Sequence, residues 1–349
     1  MAAAAAGGSG SGEAGVGATR GAVVAALGEL FPLNLAESWD NVGLLLRPGC
    51  AGCGAWQGEA CCAWSRSGGE AARRRRVLLC NDLSEPVLRE AVASDVGLIV
   101  SYHPRPFSGL KRLTPDDVTQ RIVLRCVQKD IWVYSPHTAC DNAAGGVNDW
   151  LAAGVTAAAQ DHAAASAAAG AAASTDAAPV DLSEDLMHGR ADEDAMKEAL
   201  FEVQPVGKIE GAGAGAGRGR SIKLREPVPL AAVLARLKLH LGVPTLRVAL
   251  ADKLRDEAPE RVMVGSAAVQ AGSGISVLRA TKVDLWVSGE MGHHEVLEAN
   301  AGGTTVILAE HSNSERGFLH AELSKELASR VPGIEVFVSR MDRDPLQTL

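Results

Sequence analysis

A histidine and a glutamate stand four residues apart, directly after a short apolar run. That run, residues 304–309, has the length and β-branched content of a buried strand, and His311 and Glu315 open the predicted helix that follows it. In open α/β sheets, ligands bind just beyond the carboxyl ends of the strands. The pair therefore predicts one half of a metal site, with the other half supplied from elsewhere in the chain.

Several other residues of metal-binding type also come directly after predicted strands. The full set is His103, His137, Asp141, Glu290, His293, His294, His311 and Glu315. Histidine, aspartate and glutamate together suit Zn, Fe, Mn or Co and need no cysteine. A bridging carboxylate such as Glu315, together with ligands from both halves of the chain, would form a two-metal centre, which can lower the pKa of a water molecule and hold a substrate phosphate.

Simpler interpretations stand beside the metal site. A single histidine after a strand is commonly a helix cap or a buried, hydrogen-bonded ring. His293 and His294 are adjacent and do not share a helix face, so one of them is expected to be structural. A serine hydrolase is disfavoured, because no Gly-x-Ser-x-Gly motif surrounds a serine that follows a predicted strand.

Composition restricts the class of protein. The 349 residues carry a net charge of -8 and have a pI of about 5.6, which disfavours direct DNA binding. No apolar run has membrane-spanning length. Seven cysteines, an odd number, suit free thiols in a reducing compartment better than a secreted disulfide framework. A cytoplasmic location, also compatible with the nucleus, is predicted.

Two segments are expected to lie outside the folded lobes. Residues 1–19 are mostly Ala, Gly and Ser, which predicts a disordered, low-complexity terminus that lacks the features of a secretory signal. Organellar targeting is the weaker interpretation, because only Arg20 supplies positive charge. Residues 48–70 form a predicted loop insert; its Cys50-x-x-Cys53 and Cys61-Cys62 pairs offer zinc binding as an alternative, although the second pair has no spacer.

The remaining chain alternates short strands with helices, which predicts an α/β fold with mostly parallel sheets. The first lobe is expected over residues 20–151 and the second over 221–349, ending in a strand at 334–338. Between them, 152–220 is predicted to be an Ala/Gly-rich linker. Its alanine-rich part permits a helix but is expected to be too poor in large apolar residues to bury a core.

Eight blocks of sequence together resemble the Nif-three-like (NGG-interacting-factor-three-like) family, whose bacterial members are often labelled GTP cyclohydrolase type 2 homologues. The blocks occur in the family's order and cover most of residues 20–155 and 220–349. They are AESWDNVGLLL (36–46), LLCNDL (78–83), SYHPRPFSGLKRLT (101–114), YSPHTACDNAAGGVNDWLA (134–152), GSGISVL (272–278), SGEMGHHEVLEA (288–299), ILAEHSNSERGFL (307–319) and DRDPLQ (342–347).

The resemblance implies two similar α/β lobes that enclose a dinuclear metal-binding cleft, in a toroidal homohexamer. By position, the implied ligands of one or two divalent metal ions per chain are His103, Asp141, His311 and Glu315, with Glu315 bridging. His137 corresponds to a residue near the site.

Tyr102 departs from the bacterial pattern, in which two consecutive histidines stand where this chain has Tyr102-His103. A phenol is a poorer ligand at neutral pH because its pKa is near 10. The second metal is therefore expected to be weaker, completed by water or absent. Eukaryotic relatives also tend to carry this tyrosine.

Two functions remain open from the sequence. The first is a metal-dependent hydrolase, GTP cyclohydrolase-like by resemblance, acting on a small molecule or nucleotide, with His137 or His294 moving protons. The second is a non-catalytic metal-binding protein that contacts a protein partner in transcriptional regulation. The histidines and carboxylates beyond the ligand set favour the hydrolase.

Overall fold

Two β-sheets organise the protein. The computed structural model describes residues 18–48, 72–73, 75–173 and 200–346. The first sheet has the order β1-β4-β3-β2-β11, formed by β1 (Gly43–Leu46), β2 (Arg76–Cys80), β3 (Leu98–Ser101), β4 (Trp132–Ser135) and β11 (Glu335–Val338). The second has the order β5-β6-β8-β9-β10-β7, formed by β5 (Phe201–Gln204), β6 (Arg220–Pro229), β7 (Arg247–Ala249), β8 (Met263–Ser273), β9 (Leu285–Glu290) and β10 (Thr305–Leu308).

Parallel pairing forms the part of each sheet that carries the site. Strands β11, β2, β3 and β4 are parallel neighbours, as are β8, β9 and β10. Antiparallel pairing joins β1 to the first sheet and β5, β6 and β7 to the second. The buried strands are rich in Val, Ile and Leu, as expected where helices cover both faces of a sheet. The mixed α/β class predicted from the sequence is confirmed.

Helices connect the strands, and capping residues mark where several of them begin or end. Ser84 and Asp117 cap the helices that follow β2 and β3, and Gly242, with a φ of 68°, ends the helix after β6. The helices are α1 (Ala18–Leu30), α2 (Glu85–Ala93), α3 (Val118–Gln128), α4 (His137–Asn142), α5 (Val147–Ala173), α6 (Leu230–Leu241), α7 (Ile275–Leu278), α8 (His293–Ala301), α9 (Asn313–Phe318) and α10 (Ser324–Arg330).

The alanine-rich helix α5 packs more closely than its composition suggests. Val155 and Ala158 are fully buried, in a core cluster that contains residues of both sheets. Gly154 lies against α6, where an added Cβ would come within 2.8 Å of the His240 ring. The prediction that this segment cannot bury a core is therefore wrong for its first turns, because small side chains allow close helix approach.

The C-terminal strand belongs to a different sheet from the one expected. Strand β11 pairs in parallel with β2 of the first sheet, with Val336 opposite Val77. The chain thus returns to the first sheet after completing the second, whereas the sequence analysis grouped this strand with the second lobe. The other lobe and linker bounds stay predictions. The N-terminal tail and the cysteine pairs at 50–62 lie outside the described residues.

None of the helices in the described ranges has the length and apolar content to span a membrane. Within those ranges, Cys80, Cys126 and Cys140 are buried free thiols. Burial raises the pKa of the Cys126 thiol to about 12.

A buried arginine ties the second sheet to helix α5 and to the turn before that helix. Arg220, at the start of β6, is 1% exposed and donates to the Asp149 carboxylate on α5, with Nη2 2.8 Å from Oδ2. The same guanidinium donates to the carbonyls of Ala143, Gly217 and Gly219 at 2.7–2.8 Å. Without the arginine, Asp149 Oδ2 and the Ala143 carbonyl keep backbone donors from Gly145 and Gly146, but the buried hydrogen bonds to the Gly217 and Gly219 carbonyls are lost.

We expect Arg220→Met to lower the free energy of unfolding by about 3 kcal/mol, since the buried acceptors are left unpaired. The matched control is Arg236→Met, which breaks the exposed Arg236–Asp161 pair at 3.1 Å and should cost at most about 1 kcal/mol. Urea unfolding measures both variants. Equal losses would show that Arg220 has no special role.

Candidate metal centre

The carboxyl ends of the central strands of the two sheets face each other. Tyr102 and His103 follow β3, and His137 opens α4 just after β4. From the second sheet, Glu290 ends β9, and His311 lies between β10 and α9. These residues therefore collect beyond the carboxyl ends of the strands, and their role as metal ligands stays a prediction.

His103, His311 and Glu315 form a compact group. The two histidine Nε2 atoms are 3.3 Å apart, although the residues are 208 positions apart in sequence. His103 Nε2 lies 3.5 Å from Glu315 Oε2, and His311 Nε2 lies 3.4 Å from Glu315 Oε1. Each residue offers one possible metal-ligand atom, and these atoms all lie within 4.8 Å of one another, so the group could hold a metal ion.

Each histidine of this group is oriented by a carboxylate on its other ring nitrogen. His103 Nδ1 lies 3.0 Å from Asp82 Oδ1, and His311 Nδ1 lies 3.0 Å from Glu290 Oε1. A carboxylate at Nδ1 fixes the tautomer and turns the Nε2 lone pair toward the centre, as in histidines that bind metals. Two facing lone pairs repel each other unless a proton or a cation lies between them.

Glu315 is buried and surrounded by negative charge. Burial raises the pKa of the Glu315 carboxyl well above its usual range, and the charges of Asp141 and Asp82 raise it further, against an opposing hydrogen bond from Asn81. The Asn81 amide donates to Glu315 Oε2 at 3.0 Å. A cation bound here would neutralise charge that the protein has otherwise removed from water, so the donor set fits a divalent metal ion.

Asp141 is not among the three residues that meet at the centre. The Tyr102 hydroxyl donates a short hydrogen bond to Asp141 Oδ1, and Gln270 Nε2 lies 3.5 Å from Oδ2. Burial raises the pKa of the Asp141 carboxyl despite the opposing influence of His137, Tyr102 and His103. Burial also raises the pKa of the Tyr102 phenol, which therefore remains a hydrogen-bond donor at neutral pH.

His137 lies beside this group and has its own carboxylate partner. Its Nδ1 is 2.8 Å from Asp40 Oδ1, and its ring centroid is 5.1 Å from that of His103. Burial by itself would raise the pKa of Asp40, but hydrogen bonds from His137 and Thr138 outweigh it and lower the pKa. His137 also has a φ of 23°, a sparsely populated backbone conformation of the kind that concentrates at functional sites.

His294 is placed away from the centre. It is exposed near the start of α8, and its nearest aromatic neighbour is the ring of His293 at 5.3 Å. It does not line the cavity in which the described residues His103, His137, Asp141, His311 and Glu315 are found. Both histidines of the adjacent pair are exposed at the start of α8, and neither lines this cavity.

A glycine closes one side of the centre. Gly272 has a φ of 63°, and an added Cβ would lie 2.7 Å from Glu315 Oε1 and 3.1 Å from His311 Nε2. Its N–H donates to Ser314 Oγ at 2.8 Å. Only a residue without a side chain combines this conformation with so close an approach.

Several residues around the centre were not singled out from the sequence. Asn81 and Asp82 follow β2 and could have been found by the same strand-end rule that gave His103. Asp342 was visible only as part of the block DRDPLQ; its carboxylate accepts from Asn81 N at 2.6 Å and pairs with Arg316 at 3.3 Å. No local pattern signals that contact, because it joins residues 261 positions apart.

The group opens into a cavity of about 720 Å³. Its walls include Trp39, Phe107 and His137 from the N-terminal half of the chain, and Gln270 and Gly272 from the C-terminal half. The volume falls in the range of small-molecule sites, which are usually 300–1,000 Å³. The cavity therefore has room for a compound larger than a water cluster beside the ligand group.

Known proteins are similar to this chain in sequence and in fold. The sequence pattern of Duf34/NIF3 (NGG1p interacting factor 3) matches residues 18–345. NIF3-like protein 1 of Drosophila melanogaster is 34% identical over 328 residues, which cover 94% of this chain and 88% of the relative. NGG1-interacting factor 3 of Saccharomyces cerevisiae is 33% identical over 329 residues, which cover 93% and 95%.

A solved structure agrees with the sequence matches. The crystal structure of a Bacillus cereus protein related to NIF3 superposes with a TM-score of 0.63 at 19% identity, covering 95% of this chain and 99% of its own. At this identity the likeness establishes the fold alone. Together with the match over residues 18–345, these relatives confirm the resemblance seen in the sequence: the chain belongs to the Duf34/NIF3 family.

Proposed function

We propose that the protein is a metal-dependent hydrolase whose centre is held by His103, His311 and Glu315. The observation that carries the proposal is the approach of the two Nε2 atoms to 3.3 Å, each imidazole being oriented by a carboxylate. Zn, Fe, Mn or Co suits these ligands. A bound ion would supply Lewis acidity and a water of lowered pKa.

The proton transfers are assigned to His137. Asp40 fixes its Nδ1, which leaves Nε2 to accept a proton from an attacking water and return it to a leaving group. Asp40 is held in turn by Thr138, whose N–H lies 3.1 Å from Oδ2. His294, the other histidine expected to move protons, is left out of the mechanism because it is exposed and lies outside the cavity.

Asp141 is assigned to a weaker second metal position, where Glu315 would bridge. Its carboxylate is engaged by the Tyr102 hydroxyl. A second ion must compete with that hydrogen bond, and the phenol adds no strong ligand of its own. The proposal is therefore one firmly held ion per chain and a second that binds more weakly.

The substrate is proposed to be a small molecule or nucleotide with a phosphoester or an electrophilic ring carbon, GTP cyclohydrolase-like by resemblance. A homohexamer in the cytoplasm, also present in the nucleus, completes the proposal. The alternative is a non-catalytic metal-binding protein that contacts a protein partner in transcription. This alternative rests on the family's description and on the name of the yeast relative. Direct DNA contact is not proposed, given the net charge of -8.

We expect Glu315→Gln and His311→Ala each to weaken metal binding by about tenfold or more, since the first removes the negative charge of a ligand and the second removes an imidazole ligand. Metal content after dialysis, measured by mass spectrometry, checks this. His294→Ala is the matched control, because it removes an exposed histidine and should leave the metal content unchanged. Retention of metal in both ligand variants would contradict the site.

Turnover separates the two functions. Wild type and His137→Gln, both loaded with metal, are compared on a panel of nucleotides and phosphoesters. The hydrolase requires turnover by wild type and a loss of about a hundredfold or more in kcat with the variant. Metal binding without turnover on any panel member would favour the interaction protein.

We expect Tyr102→His to raise the number of tightly bound ions toward two per chain, because it exchanges a phenol for an imidazole and frees the Asp141 carboxylate. Tyr102→Phe is the control that frees Asp141 without adding a ligand. Titration calorimetry with Zn²⁺ on metal-stripped protein gives the stoichiometry. An unchanged stoichiometry with histidine would mean that residue 102 does not face the second position.

A further inference from the structure

A short segment after the last strand lies against the sequence neighbours of the proposed ligands. This C-terminal segment comprises residues 339–345 and follows β11. Its backbone is fixed to the first half of the chain, since Ser339 N donates to the Leu79 carbonyl at 2.8 Å and Arg340 N donates to Glu90 Oε1 at 3.0 Å. The segment therefore runs beside the end of β2, one of the strands that lead to the site.

Asp342 is the residue of this segment that reaches into the protein. Its side chain is 3% exposed, and its Oδ2 accepts a hydrogen bond from the backbone N–H of Asn81 at 2.6 Å. The same oxygen lies 3.3 Å from Arg316 Nε. Asn81 follows β2 of the first sheet, whereas Arg316 lies on α9, beyond β10 of the second. One buried carboxylate therefore joins the two sheets at the edge where the ligands meet.

Asp344 adds a second contact from the C-terminal segment to the second half of the site. Its Oδ2 accepts a hydrogen bond of 2.8 Å from the hydroxyl of Ser312, which is 4% exposed. Ser312 directly follows His311, and Arg316 directly follows Glu315. Both proposed ligands from the second half of the chain are therefore next in sequence to a residue that the C-terminal segment contacts.

Asn81 extends these contacts to the ligands themselves. Its Nδ2 lies 3.0 Å from Glu315 Oε2 and 3.2 Å from Oδ2 of Asp82, the residue that orients His103. Its Oδ1 is buried and accepts no hydrogen bond from the described residues. The amide is thus positioned by its own N–H contacts and by its backbone, which Asp342 holds.

We infer that the C-terminal segment positions the metal centre and that Asp342 is its central positioning residue. By holding the Asn81 N–H and the Arg316 guanidinium together, Asp342 sets the distance between the ligand from the first sheet and the two ligands from the second. This rests on the proposed function, since it concerns the same metal centre, and it gives Asp342 no contact with metal or substrate. Ligands must keep their geometry to within about 0.5 Å, so residues that support them control metal affinity.

Attachment of the C-terminal segment and metal binding are then coupled in both directions. If the attached segment raises the affinity for metal, bound metal must stabilise the attachment by the same factor. A residue that serves stability alone would lower the free energy of unfolding and leave the metal affinity of the folded protein unchanged. Metal affinity therefore separates a positioning role from a purely structural one.

The first test is calorimetric titration of the metal-stripped protein with Co²⁺. Asp342→Asn keeps the size of the side chain and removes its charge, so we expect the dissociation constant for Co²⁺ to rise about tenfold. The matched control is Arg343→Ala, because Arg343 is exposed on the same segment, and this variant should bind Co²⁺ as tightly as the wild type. Equal affinity of folded Asp342→Asn and the wild type would overturn the inference.

Circular dichroism at the titration temperature establishes which variants are folded. If Asp342→Asn does not fold, Ser312→Ala takes its place, because it removes only the hydroxyl that donates to Asp344. Loss of this one hydrogen bond is expected to weaken Co²⁺ binding about threefold. Unchanged affinity in that variant would then overturn the inference.

Hydrogen exchange tests the coupling in the other direction. Mass spectrometry of peptides that cover residues 339–345 compares the wild type with and without Zn²⁺. Bound Zn²⁺ is expected to slow exchange in this segment about tenfold and to have no such effect in Asp342→Asn. Helix α6 is the internal control, since its exchange should not respond to the metal. Equal exchange of the segment with and without Zn²⁺ would contradict the inference.

The outcomes also separate the positioning role from the proposed function. Weaker Co²⁺ binding by Asp342→Asn, without turnover by the wild type, would support the positioning role and contradict only the hydrolase. Turnover by the wild type, with equal Co²⁺ affinity in the two proteins, would contradict only the positioning role. Absence of metal binding by the wild type would contradict both.

Discussion

The arrangement of the protein depends on one electrostatic constraint, which is the burial of Glu315 near Asp82 and Asp141. A carboxylate removed from water must be protonated or paired with a cation. Burial together with the neighbouring charges raises the pKa of Glu315, and the Asn81 amide offers it a neutral donor. The two imidazoles complete a pocket whose chemistry favours a positive charge.

That constraint can be met only where both halves of the chain come together. His103 follows a strand of the first sheet, and His311 and Glu315 follow a strand of the second. Strand β11 then carries the chain back to the first sheet, and Asp342 just beyond it accepts a hydrogen bond from Asn81 N. The C-terminal segment thus holds the residue that hydrogen-bonds the buried carboxylate, and Arg220 joins β6 of the second sheet to α5 through Asp149.

Sequence patterns predicted the parts of this arrangement that obey a local rule. Strand ends marked His103, His137, His311 and Glu315, because parallel strands deliver the residues that follow them to one edge. The rule did not say that Asp141 would be held by Tyr102, or that Asp40 would orient His137 from 97 residues away. Contacts of that range depend on how the lobes meet. Helix α5 was misjudged for a related reason, since its small residues gain their value only from what packs against them.

Gly272 affects how fast an ion bound at the centre could enter or leave it. Its backbone lies against Glu315 and His311 with no room for a methyl group, so this face of the centre is closed by main chain. Access then runs through the cavity bordered by Trp39, Phe107 and Gln270. An ion at the centre and a small molecule in the cavity would share that route. A ligand seated in the cavity would slow the escape of an ion and its capture by chelators, which makes occupancy a matter of kinetics as well as affinity.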